Sequence, residues 1–232
     1  MKIAIIPARG GSKRIPKKNI KLFAGEPIIA YSIRTAIDSG LFDRVIVSTE
    51  DRDIAEVAQI FGAEVPFLRP ESLADDYTGT NAVVKHATEW VNTQCTPVDY
   101  VCCIYPTAPF LQVKYLHEAF VMLTNSGRSF VFSAAEYPFP IQRAIRISAA
   151  GGVEPICPEC INKRSQDLEK VYHDAGQFYW GTAKAFLHDE ATFSDNSLPI
   201  ILPRSMVHDI DELEDWKRAE LMYHIKEGFL HH

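Results

Sequence analysis

The chain contains no uninterrupted apolar run approaching the roughly 18 residues that a membrane helix requires. Its opening Met1-Lys2-Ile3-Ala4-Ile5-Ile6 reaches Arg9 too soon to act as a secretory leader. A cytoplasmic protein with no membrane partner is expected. A general basic surplus is also missing: 24 Lys and Arg against 30 Asp and Glu leave a formal net charge of -6, so no nucleic-acid partner is expected. Cysteine is sparse and odd in number, at Cys95, Cys102, Cys103, Cys157 and Cys160, which argues against a disulfide framework. Cys157-Pro158-Glu159-Cys160 lacks the second CxxC that would complete four zinc ligands. Neither the GxxxxGK[ST] nor the GxGxxG pattern occurs, and with them go the main supports for a P-loop ATPase or a dinucleotide dehydrogenase. No internal repeat and no low-complexity segment breaks the chain.

What is present suits one α/β domain over residues 1–232. The chain is 47% hydrophobic, enough to bury a core at this length. Lys2 to Pro7 is a continuous apolar run ending in a turn, the pattern of a strand buried on both faces of a parallel sheet. Pro27 then opens a helix with Ile29, Ile33, Ala36 and Ile37 on one face, closed by Gly40. A strand at Arg44 to Ser48 follows, with a helix on Ile54, Val57, Ala58 and Phe61 up to Gly62. Further strands are expected at 64–68, 98–105, 129–134, 177–180 and 199–202. Helices are expected at 80–91, at 113–123 and on Leu213, Trp216, Ala219, Met222 and Tyr223. Alternation of this kind predicts a mostly parallel, Rossmann-like sheet covered by helices. Between 136 and 170 the alternation fails: four prolines and Gly151-Gly152 leave room only for a hairpin-like excursion. The terminal His231-His232 pair is compatible with an expression tag and carries no weight in the fold assignment.

The basic charge is local. Arg9, Lys13, Arg14, Lys17, Lys18 and Lys21 crowd the loop after the first strand, where open α/β sheets bind phosphate. In Pro7-Ala8-Arg9-Gly10-Gly11-Ser12-Lys13, the glycines allow backbone N–H groups to approach phosphate oxygens, and Arg9 and Lys13 supply charge. A small polyanion such as a triphosphate fits this loop. Asp209-Ile210-Asp211 precedes the last helix; if extended, it turns both carboxylates to one side. The acidic cluster that continues through Glu212, Glu214 and Asp215 is either a solvated helix start or a cation site, since Mg²⁺ takes one or two carboxylates together with phosphate oxygens.

Ala8-Arg9-Gly10-Gly11-Ser12-Lys13 with Lys18-Asn19 resembles the signature of the CMP-sialic acid synthetases, the acylneuraminate cytidylyltransferases. The resemblance extends over nearly the whole chain. It implies a homodimeric enzyme that joins CTP to a nine-carbon acidic sugar, with Arg9, Ser12, Lys13 and Asn19 around the nucleotide and Asp209 and Asp211 holding Mg²⁺. The charged members Arg9, Lys13, Asp209 and Asp211 are the expected catalytic set. Arg69-Pro70, Thr78-Gly79-Thr80 and Pro106-Thr107 match the family's nucleoside-binding stretches. Taken alone, Thr78 and Thr80 suit a capped helix equally well. Tyr105 stands where the family commonly has glutamine.

The acceptor is expected to be recognised by Gln142, Arg143, Arg164, Gln166, Asp167, Tyr172, Gln177 and Tyr179, because arginines can grip a carboxylate while amides and aromatics suit hydroxyl and acylamino groups. His173 is a candidate base or a structural histidine. In the family the excursion reaches a neighbouring subunit, and the wording Tyr172-His173-Asp174-Ala175-Gly176-Gln177 looks most like the pseudaminic acid cytidylyltransferases. Ordinary neuraminate and legionaminate are the alternatives within that class. Outside it, Asp209-Ile210-Asp211 also resembles the DxD of glycosyltransferases, although its late position argues against that reading.

Overall fold

The computed structural model describes residues 1–75, 78–94 and 97–230. Cys95, His231 and His232 therefore lie outside the described residues. The chain begins with β1 (Lys2–Pro7), then a small hairpin of β2 (Leu22–Phe23) and β3 (Glu26–Pro27), and α1 (Ile28–Asp38). β4 (Arg44–Ser48), α2 (Arg52–Ile60), α3 (Thr80–Gln94), β5 (Tyr100–Ile104), α4 (Val113–Ser126) and β6 (Phe130–Glu136) continue the alternation. The excursion holds β7 (Ile145–Ile147) and β8 (Val153–Pro155). The chain then closes with β9 (Tyr172–Thr182), α5 (Ala183–Leu187), β10 (Ser197–Ile201) and α6 (Leu213–Leu230).

The main sheet has the order β10-β6-β9-β5-β1-β4. β1 pairs in parallel with both β4 and β5, and β10 in parallel with β6, while β9 runs antiparallel to β5 and β6. β1 is thus flanked on both sides, which is why Ile3, Ala4, Ile5 and Ile6 are all fully buried. Strand periodicity divides them: Ala4 and Ile6 join the core with Ile29, Ile33, Leu116 and Trp216 of α1, α4 and α6, while Ile3 and Ile5 meet Val84, Ala87 and Phe186 of α3 and α5. Each such buried isoleucine contributes about 1.5–3 kcal/mol. Gly40 ends the α1 turn at φ 62°, a backbone that glycine adopts without strain.

Several elements depart from the sequence pattern. Residues 64–68 do not form a strand; a single bridge, Ile46 to Glu64, pairs there, and contact with the chain after β4 resumes where the Arg69 N–H donates to the Thr49 carbonyl. The strand expected at 177–180 is the middle of an eleven-residue strand that starts at Tyr172. Its first half is masked in sequence because Tyr172 and Asp174 are exposed and Gly176 has φ 60°. The short helix α5 and the β2–β3 hairpin have too few residues to show a period.

The excursion is the hairpin that its prolines and glycines suggested. β7 and β8 pair antiparallel, with Ile145 opposite Pro155 and Ile147 opposite Val153, so four apolar side chains share one face. Cys157 and Cys160 form a disulfide across one short helical turn. Their Cα atoms are 5.4 Å apart, within the range a disulfide spans. Together with Glu159 they are the single group of three potential metal ligands among the described residues. No helix among those residues is long and apolar enough to cross a membrane.

Candidate active site

Two adjoining cavities lie beyond the carboxyl ends of β1 and β5, beside the first half of the antiparallel β9, and Tyr105 is in the wall of both. The first, of about 240 Å³, has four cationic side chains, Arg9, Lys13, Arg14 and Lys18, with Ser12, Asn19, Pro106 and Thr107 among them and Asp211 on the acidic wall. The loop that supplies these cations is tied down at several points. Asn19, buried, donates from Nδ2 to the Arg9 carbonyl at 2.9 Å, and the Ser12 N–H donates to the Gly10 carbonyl at 2.9 Å. Arg9 Nη1 donates to the Asp75 carbonyl at 3.2 Å. Asn19 thus shapes the loop as well as lining the cavity.

Gly10 has a different role from the one its position suggested. Its N–H donates to Glu50 Oε1 at 2.7 Å, and a Cβ there would sit 2.4 Å from Asp51 Oδ2. Close approach of the β4–α2 turn, rather than of phosphate, demands the glycine. No atom lies within 4 Å of a Cβ built on Gly11, and Ala8 is fully buried, donating its N–H to the Ser48 carbonyl. Arg69, read from sequence as a nucleoside contact, is buried with its guanidinium on Glu50. Burial pushes the Glu50 carboxyl up, but the hydrogen bonds from Arg69 and from the Gly10 N–H outweigh it and hold the group below its usual range. Arg69 and Glu50 therefore form the floor under the basic loop.

Asp211 is drawn to the same loop: Arg14 Nη2 is 2.7 Å and Lys18 Nζ 3.6 Å from its carboxylate, and Lys18 Nζ also donates to the Ile210 carbonyl at 2.8 Å. Ile210 is buried and its acidic neighbours flank it, as alternation requires. Asp209 is held above the usual carboxylate range, first by loss of solvent around it and then by Asp211; Lys18 and Arg14 oppose the shift. A carboxylate pair in which Asp211 helps to raise Asp209, beside a polycationic phosphate-sized cavity, suits a hard divalent cation that shares phosphate oxygens. Asp215 is committed elsewhere, accepting from the Asp211 and Glu212 N–H groups at the start of α6.

The second cavity, of about 440 Å³, is walled by Gly79, Thr80 and Asn81 at the start of α3, by Cys103, Tyr105, Asp174 and Tyr179 from β5 and β9, and by Ala191, Thr192 and Phe193. Thr80 therefore faces this cavity rather than the cationic one. The Thr78 N–H donates to Asp75 Oδ1 at 2.6 Å and lines neither. Of the eight expected acceptor residues, Tyr179 alone is in this wall. Gln177 is buried and donates to the Met206 carbonyl at 2.6 Å. Tyr172, Gln142, Arg143, Arg164, Gln166 and Asp167 stand away from both cavities: Arg143 donates to Ser165 Oγ and the Lys163 carbonyl, Arg164 pairs with Asp167 at 2.8 Å, and Gln142 donates to the Glu169 carbonyl at 2.9 Å. His173 likewise faces the Tyr137 ring, 4.8 Å between centroids. Arg14 and Lys18 were legible as members of the basic run, and Lys18 of the family signature, but not as individual cavity residues. Sequence reasoning missed Asp174, Asn81, Thr192 and Phe193 because nothing in their local sequence marks them.

A mostly parallel sheet with a phosphate-sized cationic cavity beyond β1 is the architecture of a nucleotide-binding α/β protein. Sequence comparison makes the class particular: the cytidylyltransferase family profile matches residues 3–227, and the chain belongs to that family. It is 45% identical over 223 residues to the pseudaminic acid cytidylyltransferase of Campylobacter jejuni, covering 96% of both chains. It is 32% identical over 235 residues to the CMP-N,N'-diacetyllegionaminic acid synthase of Legionella pneumophila, covering 98% of each. Among solved structures, a CMP:2-keto-3-deoxy-manno-octonic acid synthetase complexed with CTP superposes with a TM-score of 0.69 over 97% of this chain and 99% of that one. At 14% identity it attests the shared fold.

Proposed function

We propose that the protein transfers CMP from CTP to pseudaminic acid, releasing pyrophosphate. The observation that carries this reading is the pairing of a four-cation cavity with a cation-free one at Tyr105, in a chain so similar to pseudaminic acid cytidylyltransferases. In the reaction the anomeric hydroxyl of the acid attacks the α-phosphorus of CTP; an O–P bond forms, the bond to the β-phosphate oxygen breaks, and the hydroxyl proton is lost. Arg9, Lys13, Arg14 and Lys18 offset triphosphate charge, most of which moves to the leaving pyrophosphate. Asp209 and Asp211 are the residues that would hold Mg²⁺. When bound there, it supplies charge neutralisation and a lowered pKa for the attacking hydroxyl.

The acceptor's carboxylate is assigned to arginines of a second copy. Arg143 and Arg164 do not reach the cavities of their own chain, and the β7–β8 hairpin exposes an unpartnered apolar face, with Ile147 78% and Val153 65% exposed. An isolated two-stranded hairpin is marginal in water, and a neighbouring subunit would cover it. The homodimer of this reading brings each excursion to the other's site.

Pyrophosphate release from CTP with pseudaminic, legionaminic, N-acetylneuraminic and deoxyoctulosonic acids tests the assignment. The highest kcat/KM is expected for pseudaminic acid. Equal or higher kcat/KM with N-acetylneuraminic acid would replace it, and CMP release from an activated sugar in place of pyrophosphate release would overturn the reaction type.

A further inference from the structure

We propose that Cys157 and Cys160 form a reversible thiol–disulfide exchange site whose disulfide holds the turn that positions Arg143, with a low-molecular-weight disulfide of the glutathione class as its oxidant. The inference rests on the assignment of Arg143 to the acceptor carboxylate and adds a means of regulating it.

The cysteines of this chain differ in what can reach them. Cys102 and Cys103 are free and fully buried on β5, and burial pushes both thiols up, so the thiolate that exchange requires does not form there. Cys157 and Cys160 stand on the excursion, three residues apart and joined as a disulfide. Cys157 is half-buried and Cys160 buried, so a small disulfide meets Cys157 first. The Cys157 thiolate attacks one of its sulfurs, forming a mixed disulfide and releasing one thiol. Cys160 then attacks the Cys157 sulfur and expels the second. One disulfide is reduced as the other forms, and the two protons of the dithiol leave on the released thiols. Two thiols of the same class run the sequence backwards. A bond across so short a loop takes little entropy from the unfolded chain. Its effect is therefore on local structure.

That local structure is the support of Arg143. Just before the pair, the Ile156 N–H donates to the Ala144 carbonyl at 2.8 Å; just after it, the Lys163 N–H donates to the Cys160 carbonyl at 3.1 Å. Arg143 donates from Nη2 to the Lys163 carbonyl and from Nη1 to Ser165 Oγ at 3.2 Å. Residues 156–165 are thus fastened to 143–144 at both ends, and the disulfide fixes the turn between the fastenings. Opening the bond frees that turn, and with it the carbonyl that holds the guanidinium.

The full chain, equilibrated at a series of ratios of reduced to oxidised glutathione and then alkylated, is read by peptide mass spectrometry. Cys157 and Cys160 are expected to pass together from alkylated to linked as the oxidised form rises, and to return when reduced glutathione is added. Hydrogen exchange over residues 141–147 and 156–165 should be about tenfold slower in the linked state. Acceptor KM should be about fivefold lower in that state, with the KM for CTP changed less than about twofold. Cys157→Ser and Cys160→Ser should each behave as the reduced protein at every ratio. The proposal is overturned if the pair stays alkylated or stays linked throughout, or if either cysteine pairs with Cys95 instead. Stoichiometric zinc on the two sulfurs and Glu159, which lie within 4.8 Å of one another, would also replace it. So would hydrogen exchange or an acceptor KM that ignores the redox state. If the wild type releases no pyrophosphate with any nonulosonic acid, the acceptor reading fails, while alkylation and hydrogen exchange still decide whether the thiol pair holds the Arg143 turn.

Discussion

The two cavities that meet at Tyr105 differ in sign and in how they are assembled. The first takes its four cations from ten consecutive residues, Arg9 to Lys18, on one loop after the central strand. The second takes its wall from the start of α3, the ends of β5 and β9, and the segment after α5, with one carboxylate and no cation. A triphosphate needs a dense field of positive charge, which a short loop can concentrate. A sugar with several neutral substituents needs directional groups spread around it, which only tertiary folding can bring together.

The largest effect is expected where the cationic cavity carries its acid. Asp211→Asn should lower kcat by about a hundredfold or more, since it removes one of two carboxylates from the expected cation site. Pyrophosphate release across a magnesium titration checks this, and normal magnesium-dependent turnover would strip Asp211 of that role. Chelating divalent ions from the wild type should abolish turnover to the same degree.

A smaller effect separates the cavities cleanly. Arg14→Ala should raise the KM for CTP about tenfold, the cost of one charge-assisted contact, and leave the acceptor KM within about twofold. A comparable rise in acceptor KM would mean that the two cavities are not the separate sites their signs suggest. Ile147→Asp, on the exposed face of the β7–β8 hairpin, should do the reverse. It should convert the proposed dimer to monomer in sedimentation and raise acceptor KM about fivefold, with the KM for CTP unmoved, as loss of a partner's arginine predicts. A monodisperse monomer in the wild type would end that reading.

The same contrast governs what was legible in the sequence. The β1 run, the basic loop and the Asp209-Ile210-Asp211 alternation are local patterns, and each lies where the pattern places it. Arg69 was legible as part of a family nucleoside-binding stretch but not as the partner of Glu50, because an ion pair nineteen residues apart leaves no spacing signature. Gly10 shows the opposite failure: its type was informative, yet the neighbour that requires it, Asp51, is set by the β4–α2 turn. Asp174 was invisible for a third reason. It sits in an exposed stretch of β9 that reads as loop, and what marks it is the hydrogen bond from the Tyr179 hydroxyl and its place in the second cavity's wall.

The smallest expected effect probes the floor of the cationic loop. Glu50 is held below its ordinary value of 4.5 by Arg69 and the Gly10 N–H against the opposing push of burial. Its folded pKa is therefore depressed, so its contribution to stability is fully present above the unfolded value and is lost as pH falls through the folded one. Glu50→Gln keeps the shape and one acceptor but removes the charge facing Arg69. It should lower Tm by about 2–4 °C near neutral pH, the shift that roughly 1 kcal/mol gives in a domain of this size. The deficit should stay constant down to about pH 5 and shrink below the ordinary carboxyl range, as the wild-type carboxylate is itself protonated. Parallel melting curves across that range distinguish this from a packing defect, which would keep the same deficit at every pH.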